Sequence, residues 1–146
     1  MSALKKVELF CDGSCLGNPG KGGWAYILRY QDKQKCQSGA NALTTNNQME
    51  LLAAINGLKA LKQPCEVTLC TDRSYVAKGI NEWLAKWIKN GFKTANKQPV
   101  KNADLWQELL EQLKRHKVQA IWVKGHAGHE ENELCDKMAR DAANAI

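Results

Sequence analysis

Four acids stand where they could do chemistry together: Asp12, Glu50, Asp72 and Asp136. Asp12 closes an apolar run (Val7, Leu9, Phe10) that reads as a buried strand, and a Gly-, Asn- and Pro-rich turn follows it. Asp72 closes a second such run, Glu66 to Asp72. A carboxylate at a strand's exit is costly to bury alone and needs a cation or a donor beside it. Each acid also has a plainer reading: Asp12 as a hydrogen-bond acceptor within its turn, Glu50 as a dipole-friendly acid in the first turn of a helix. A helical segment separates the two strands, so they can pair in parallel and bring both aspartates to one sheet edge, which weakens the turn reading. An all-oxygen donor set selects Mg²⁺ or Mn²⁺ over zinc. Two such ions about 4 Å apart suit in-line displacement at a phosphodiester.

A polyanion would need a grip. Between Ala77 and Asn102 there are six lysines (78, 86, 89, 93, 97 and 101) against one acid, Glu82, so that segment carries +5 of the chain's net +6. Such concentration points to a nucleic-acid-binding face; the alternative is a solvated lysine-rich surface.

These residues need elements to place them. Lys5 to Asp12 reads as the first strand, Gly22 to Tyr30 as the second, and Gln34 to Ala42 as a weaker third; the short connections argue for an antiparallel meander. Thr44 to Asn47 supplies candidate N-caps for a helix running to about Leu61, with Leu51, Ile55 and Leu58 on one face. Glu66 to Asp72 is the fourth strand and Val118 to Lys124 the fifth. Helices are expected over Ser74 to Gly79, Asn81 to Asn90, Asp104 to Arg115 and Glu131 to Ala145, and 125–129 forms a glycine-rich loop. Three antiparallel strands followed by helix-separated parallel ones predict an α/β fold, a mixed five-stranded sheet flanked by helices.

At 146 residues the chain fits one domain, 1–146, with the basic segment at about 81–102 set apart as a protrusion. No apolar stretch approaches a membrane span or a signal peptide, so a cytoplasmic protein with no membrane partner is expected; a monomer is expected as well. The six cysteines contain no Cys-x-x-Cys spacing and read mostly as small buried hydrophobes. Strand parity puts Cys70 on the face of Asp72 and Cys11 on the opposite face from Asp12.

Several blocks together resemble bacterial type 1 ribonuclease H. They are Cys11-Asp12-Gly13-Ser14-Cys15-Leu16-Gly17-Asn18-Pro19-Gly20, Thr44-Thr45-Asn46-Asn47-Gln48-Met49-Glu50-Leu51, and Thr71-Asp72-x-x-Tyr75-Val76. Lys97-x-Pro99-Val100-Lys101-Asn102-x-Asp104-Leu105-Trp106 and Trp122-Val123-Lys124-Gly125-His126-Ala127-Gly128-His129-x-Glu131-Asn132-Glu133 complete the set. In the family's order and spacing they run from about Val7 to Ala143.

The resemblance implies a ribonuclease H-like fold, with strands four and five parallel to the first. It implies hydrolysis of the RNA strand of an RNA/DNA hybrid, leaving a 3′-hydroxyl and a 5′-phosphate. Asp12, Glu50, Asp72 and Asp136 would hold two Mg²⁺ (or Mn²⁺) ions with substrate bound, Asp12 bridging both. His126 looks like the family's histidine that assists proton handling and product departure. On its own it would be an ordinary loop histidine, and a zinc site from His126, His129 and Cys135 lacks a fourth ligand at finger spacing. Gly13 (through its backbone), Asn18, Asn46 and Glu50 would border the minor-groove contact that reads the 2′-hydroxyl, and Thr45 a DNA-phosphate pocket. Trp83, with Lys86, Lys89 and Lys93, would form the handle for the DNA strand, although Trp83 and Trp87 also read as core packing, Trp87 the more so.

The chain departs from the family pattern at three places. Arg73 follows Asp72 where relatives usually carry Ser, and Ser74 replaces a longer Gln contact to substrate. Arg73 then meets a phosphate or faces solvent. The protrusion, Trp87 to Phe92, is less basic at its tip, and the chain ends soon after its last helix. Two other readings remain beside the nuclease: a catalytically silent hybrid-binding module, against which four clustered acids argue, and a different nuclease of the same broad fold, such as an integrase or junction resolvase, which the histidine loop and the lysine segment disfavour.

Overall fold

A computed structural model of the chain describes residues 4–94, 96–123 and 130–146. Five strands form one sheet in the order β3-β2-β1-β4-β5. Strand β1 (Lys5–Cys15) lies at its centre, antiparallel to β2 (Gly20–Tyr30), which pairs antiparallel with β3 (Lys33–Thr44). On its other side β1 runs parallel to β4 (Cys65–Thr71), and β4 runs parallel to β5 (Lys117–Trp122). The mixed topology expected from the order of strands and helices is the one observed.

The two-residue period of β1 splits the core in two. Val7, Leu9 and Cys11 join Leu51, Ile55 and Leu58 of helix α1 (Asn46–Lys59). Trp106 and Leu109 of a later helix close the same cluster. On the opposite face Phe10, Ala25 and Ile27 pack with Cys135 and Ala139 of the last helix, and Cys70 rests against them. Cys11 and Cys70 therefore lie on opposite faces, as strand parity requires. All six cysteines are free; three are buried, Cys15 and Cys70 are half-buried, and Cys36 is exposed, so the small-hydrophobe reading holds for only part of the set.

After β4 the chain coils through α2 (Ser74–Lys78), a π-helical turn (Gly79–Trp83) and α3 (Leu84–Lys89). What reads in sequence as two helices is thus one continuous coil with a wide turn in its middle. Its rings make an aromatic stack on the core: Trp83 and Trp87 lie 5.8 Å apart, and Trp87 meets Trp106 at 5.3 Å. Helix α4 (Ala103–Arg115) starts from Asn102, whose left-handed φ of 61° turns the chain out of the preceding loop. Asn102 accepts from Gln48 Nε2 (3.3 Å) and donates to the Tyr75 hydroxyl (3.2 Å), which also accepts from Trp106 Nε1 (2.9 Å). That network ties the start of α4 to α1 and α2.

Helix α5 (Glu130–Asn144) lies on the second face. It sits so close to β2 that a Cβ on Gly23 would stand 2.0 Å from the carbonyl oxygen of Ala139. Asn132, fully buried at the start of α5, donates to the Cys70 carbonyl at 3.2 Å and fastens the helix to β4. Among the described residues no helix is long and apolar enough to cross a membrane.

Because backbone meets backbone at Gly23, a side chain there has no rotamer escape. Gly23→Ala is expected to cost about 1–3 kcal/mol of stability, read as a lower urea midpoint with an unchanged m-value. An unchanged midpoint would mean that α5 does not seat on Gly23.

Candidate active site

Strand β1 outruns β4, and this overhang makes the site. Parallel pairing ends at Phe10↔Cys70, whereas pairing with β2 continues through Asp12↔Ala25 to Cys15↔Gly22. Two residues past the last parallel pair, Asp12 and Asp72 come level at the same edge. Asp12 is therefore held inside a strand rather than released into a turn, which corrects the expected strand end. Asp72 follows the last residue of β4, and its carbonyl accepts from Trp122 Nε1 at 3.2 Å.

Glu50 comes from α1. The helix is N-capped by Thr45, whose hydroxyl accepts from the Gln48 N–H at 3.2 Å, so Glu50 stands one turn inside it and no acid occupies the first turn. Placement in the first turn is thereby corrected, and the helix dipole does not explain this acid. Gly13 explains its position: a Cβ there would lie 2.4 Å from the Glu50 backbone nitrogen, so only glycine lets α1 press against β1.

Asp12 and Glu50 are each 1% exposed. The Asp12 Oδ1 atom accepts from the Gly13 N–H at 2.8 Å and from Arg73 Nε at 2.9 Å. Glu50 Oε1 accepts from the Val76 N–H at 3.3 Å and, weakly, from the Thr71 hydroxyl at 3.4 Å. Asp12 Oδ2 and Glu50 Oε2 are buried and have no hydrogen-bond donor among the described residues. Burial pushes the Asp12 carboxyl up to about 7, aided by the Asp72 and Asp136 charges and opposed by Arg73. Burial likewise lifts Glu50 to about 7, opposed first by the Val76 N–H and then by Arg73. Asp12 thus feels the charges of Asp72 and Asp136, and Glu50 feels that of Asp12.

Asp136 acts on Asp12 through its charge; its side chain is 27% exposed and accepts from Arg140 Nε, one turn along α5, at 3.0 Å. As the side chains stand, no three His, Cys, Asp or Glu residues among those described gather closely enough to hold a metal ion. The site nevertheless fits a hard divalent cation. Two buried carboxylate oxygens have no donor among the described residues, and the acids of the site are hard oxygen donors.

Of the remaining expected residues, Asn18 and Asn46 meet, the Asn46 N–H donating to Asn18 Oδ1 at 3.1 Å. Thr45 serves as the helix cap beside them, and Ser74 opens α2. Lys86, Lys89 and Lys93 are exposed, whereas Trp83 is half-buried in the aromatic stack with Trp87. His126 lies outside the described residues. Sequence reasoning missed Thr71, whose hydroxyl meets Glu50 and accepts from the Arg73 N–H at 3.2 Å, and the Val76 amide; backbone donors leave no mark in residue types. Arg73 turns inward to Asp12, a destination the sequence alone did not single out.

The RNase H family model matches residues 4–144. Ribonuclease H of Campylobacter concisus is 69% identical over 143 residues, covering 98% of this chain and 96% of that protein. Ribonuclease HI of Vibrio parahaemolyticus is 60% identical over 139 residues, covering 95% and 90%. Among solved structures, LC9-RNase H1, a type 1 RNase H with the type 2 active-site motif, superposes with a TM-score of 0.89 at 30% identity, covering 99% of this chain and 75% of that one.

A carboxyl raised from 4.5 to about 7 binds its proton more tightly in the folded protein. Its contribution to stability is full below the unfolded value and is lost as pH rises through 7. In EDTA, Glu50→Gln is therefore expected to gain about 1–3 kcal/mol relative to the parent between pH 4.5 and 8.5. Parallel pH–stability curves for the two proteins would refute the shift.

Proposed function

Since the chain belongs to the ribonuclease H family and is a nuclease of that kind, we propose that it is an endoribonuclease hydrolysing the RNA strand of RNA/DNA hybrids, by two-metal-ion catalysis with Mg²⁺ or Mn²⁺, to 3′-hydroxyl and 5′-phosphate ends. What supports the metal reading is the pair of buried carboxylate oxygens on Asp12 and Glu50 that have no donor among the described residues, at the sheet edge that β1 and β4 share. Asp12, Glu50, Asp72 and Asp136 would hold the ions, which when bound activate water and stabilise the leaving oxygen.

The chain's own residues do the rest. Gly13, Asn18 and Asn46, gathered at the start of α1, border the site where a minor groove would present its 2′-hydroxyls. Thr45, beside Asn46, would take a DNA phosphate, and Ser74 the substrate backbone near Asp72. Lys86, Lys89 and Lys93 lie on an exposed surface backed by the aromatic stack, so their charges are free for phosphates. Trp83 is half-buried in that stack against Tyr75 and Trp87, which leaves only part of the side chain for the DNA strand. His126 is assigned proton handling and product release on family resemblance.

Asp12→Asn is expected to abolish cleavage while the hybrid still binds. The assay compares RNA/DNA, RNA/RNA and DNA/DNA duplexes of one sequence, with EDTA controls; full activity of the variant in Mg²⁺, or equal cutting of all three duplexes, would contradict the reading. Replacing Lys86, Lys89 and Lys93 together by alanine should raise KM, leave kcat nearly intact and make the log–log salt slope shallower by about 2–3. An unchanged slope would reduce the segment to solvated surface.

A further inference from the structure

We propose that Arg73 is a tethered counter-ion of the carboxylate site, a resident positive charge on Asp12 that competes with divalent-ion binding there. The inference rests on the ion-ligand roles given to Asp12, Glu50 and Asp72 above. Arg73 Nε donates to Asp12 Oδ1 at 2.9 Å, and the guanidinium is also drawn by the charges of Glu50 and Asp72. Asp12 Oδ1 already accepts the Gly13 N–H as well, so the atom is fully engaged. A guanidinium offers donors only and repels a second cation, so it shares this carboxylate poorly with an ion.

The residue is built to leave as well as to stay. Its backbone is held by Thr71, the Arg73 N–H donating to Thr71 Oγ1 at 3.2 Å. Its side chain remains 38% exposed, against 1% for the Asp12 side chain it meets, so a rotation of the long stem carries the guanidinium into water while Asp12 stays in place. Meanwhile Asp12 Oδ2 and Glu50 Oε2 remain open as a first foothold for an incoming ion. Whatever free energy Arg73 gives the metal-free site is subtracted from ion binding, by reciprocity of the two equilibria. Arg73 should therefore weaken affinity for divalent ions and steady the fold without them.

The test is calorimetric titration of Mn²⁺, without nucleic acid and at pH 8.5, into the parent protein, Arg73→Gln, Arg73→Lys and Asp12→Asn, with melting of each in EDTA and in saturating Mn²⁺. Arg73→Gln is expected to bind Mn²⁺ about tenfold tighter, to melt lower than the parent in EDTA and to close that gap in saturating Mn²⁺. Arg73→Lys, which keeps the charge without the planar fork, should fall between the two; it carries the comparison if the glutamine variant does not fold in EDTA. Affinity equal to or weaker than the parent's in the variant compared overturns the counter-ion role while leaving the ion site standing. Asp12→Asn and the parent giving identical titrations would instead remove the ion site, and the counter-ion role with it.

Discussion

Two carboxylates, Asp12 and Glu50, sit almost wholly out of water, and each keeps one oxygen with no donor among the described residues. That is an unfavourable way to fold a chain, because desolvating an acid costs several kcal/mol unless a cation or hydrogen bonds compensate. The surroundings compensate only in part. Gly13, Arg73, Val76 and Thr71 satisfy one oxygen of each acid, and burial still lifts both to about 7. Burial of two acids so incompletely compensated is a standing cost in stability.

The rest of the architecture makes that arrangement rigid. The overhang of β1 beyond β4 sets Asp12 level with Asp72, the missing side chain of Gly13 admits α1 with Glu50, and α5 brings Asp136 in over Gly23. Asn132 and Trp122 fasten the two flanks, one to the Cys70 carbonyl and the other to the Asp72 carbonyl. On the far side of α2, the stack of Tyr75, Trp83, Trp87 and Trp106 holds up the lysine-bearing surface, so the charged segment rests on a packed base. The carboxylates and the lysine-bearing surface are thus placed by one sheet and the helices packed on it.

Much of this was legible in the residues. The antiparallel meander of β1 to β3, parallel pairing of β1 with β4 and the buried face of α1 follow from period and punctuation, which are local signals of a non-local pattern. Element ends were less legible: β1 runs on to Cys15 because β2 keeps pairing with it past the glycine, a tertiary effect that turn chemistry does not encode. Glu50 lay a turn deeper in its helix than expected because the cap is Thr45, one of several adjacent candidates. The inward course of Arg73 was not readable at all. An arginine beside an aspartate in sequence faces solvent or an anion equally well, and only the fold shows which anion stands within reach.

If these acids form a cage for hard divalent ions, anomalous diffraction from crystals of the protein grown with Mn²⁺ should show density bonded to Asp12 and Glu50, within reach of Asp72, with the Arg73 guanidinium moved off Asp12. Manganese found only on other surfaces, with Arg73 still donating to Asp12, would contradict it.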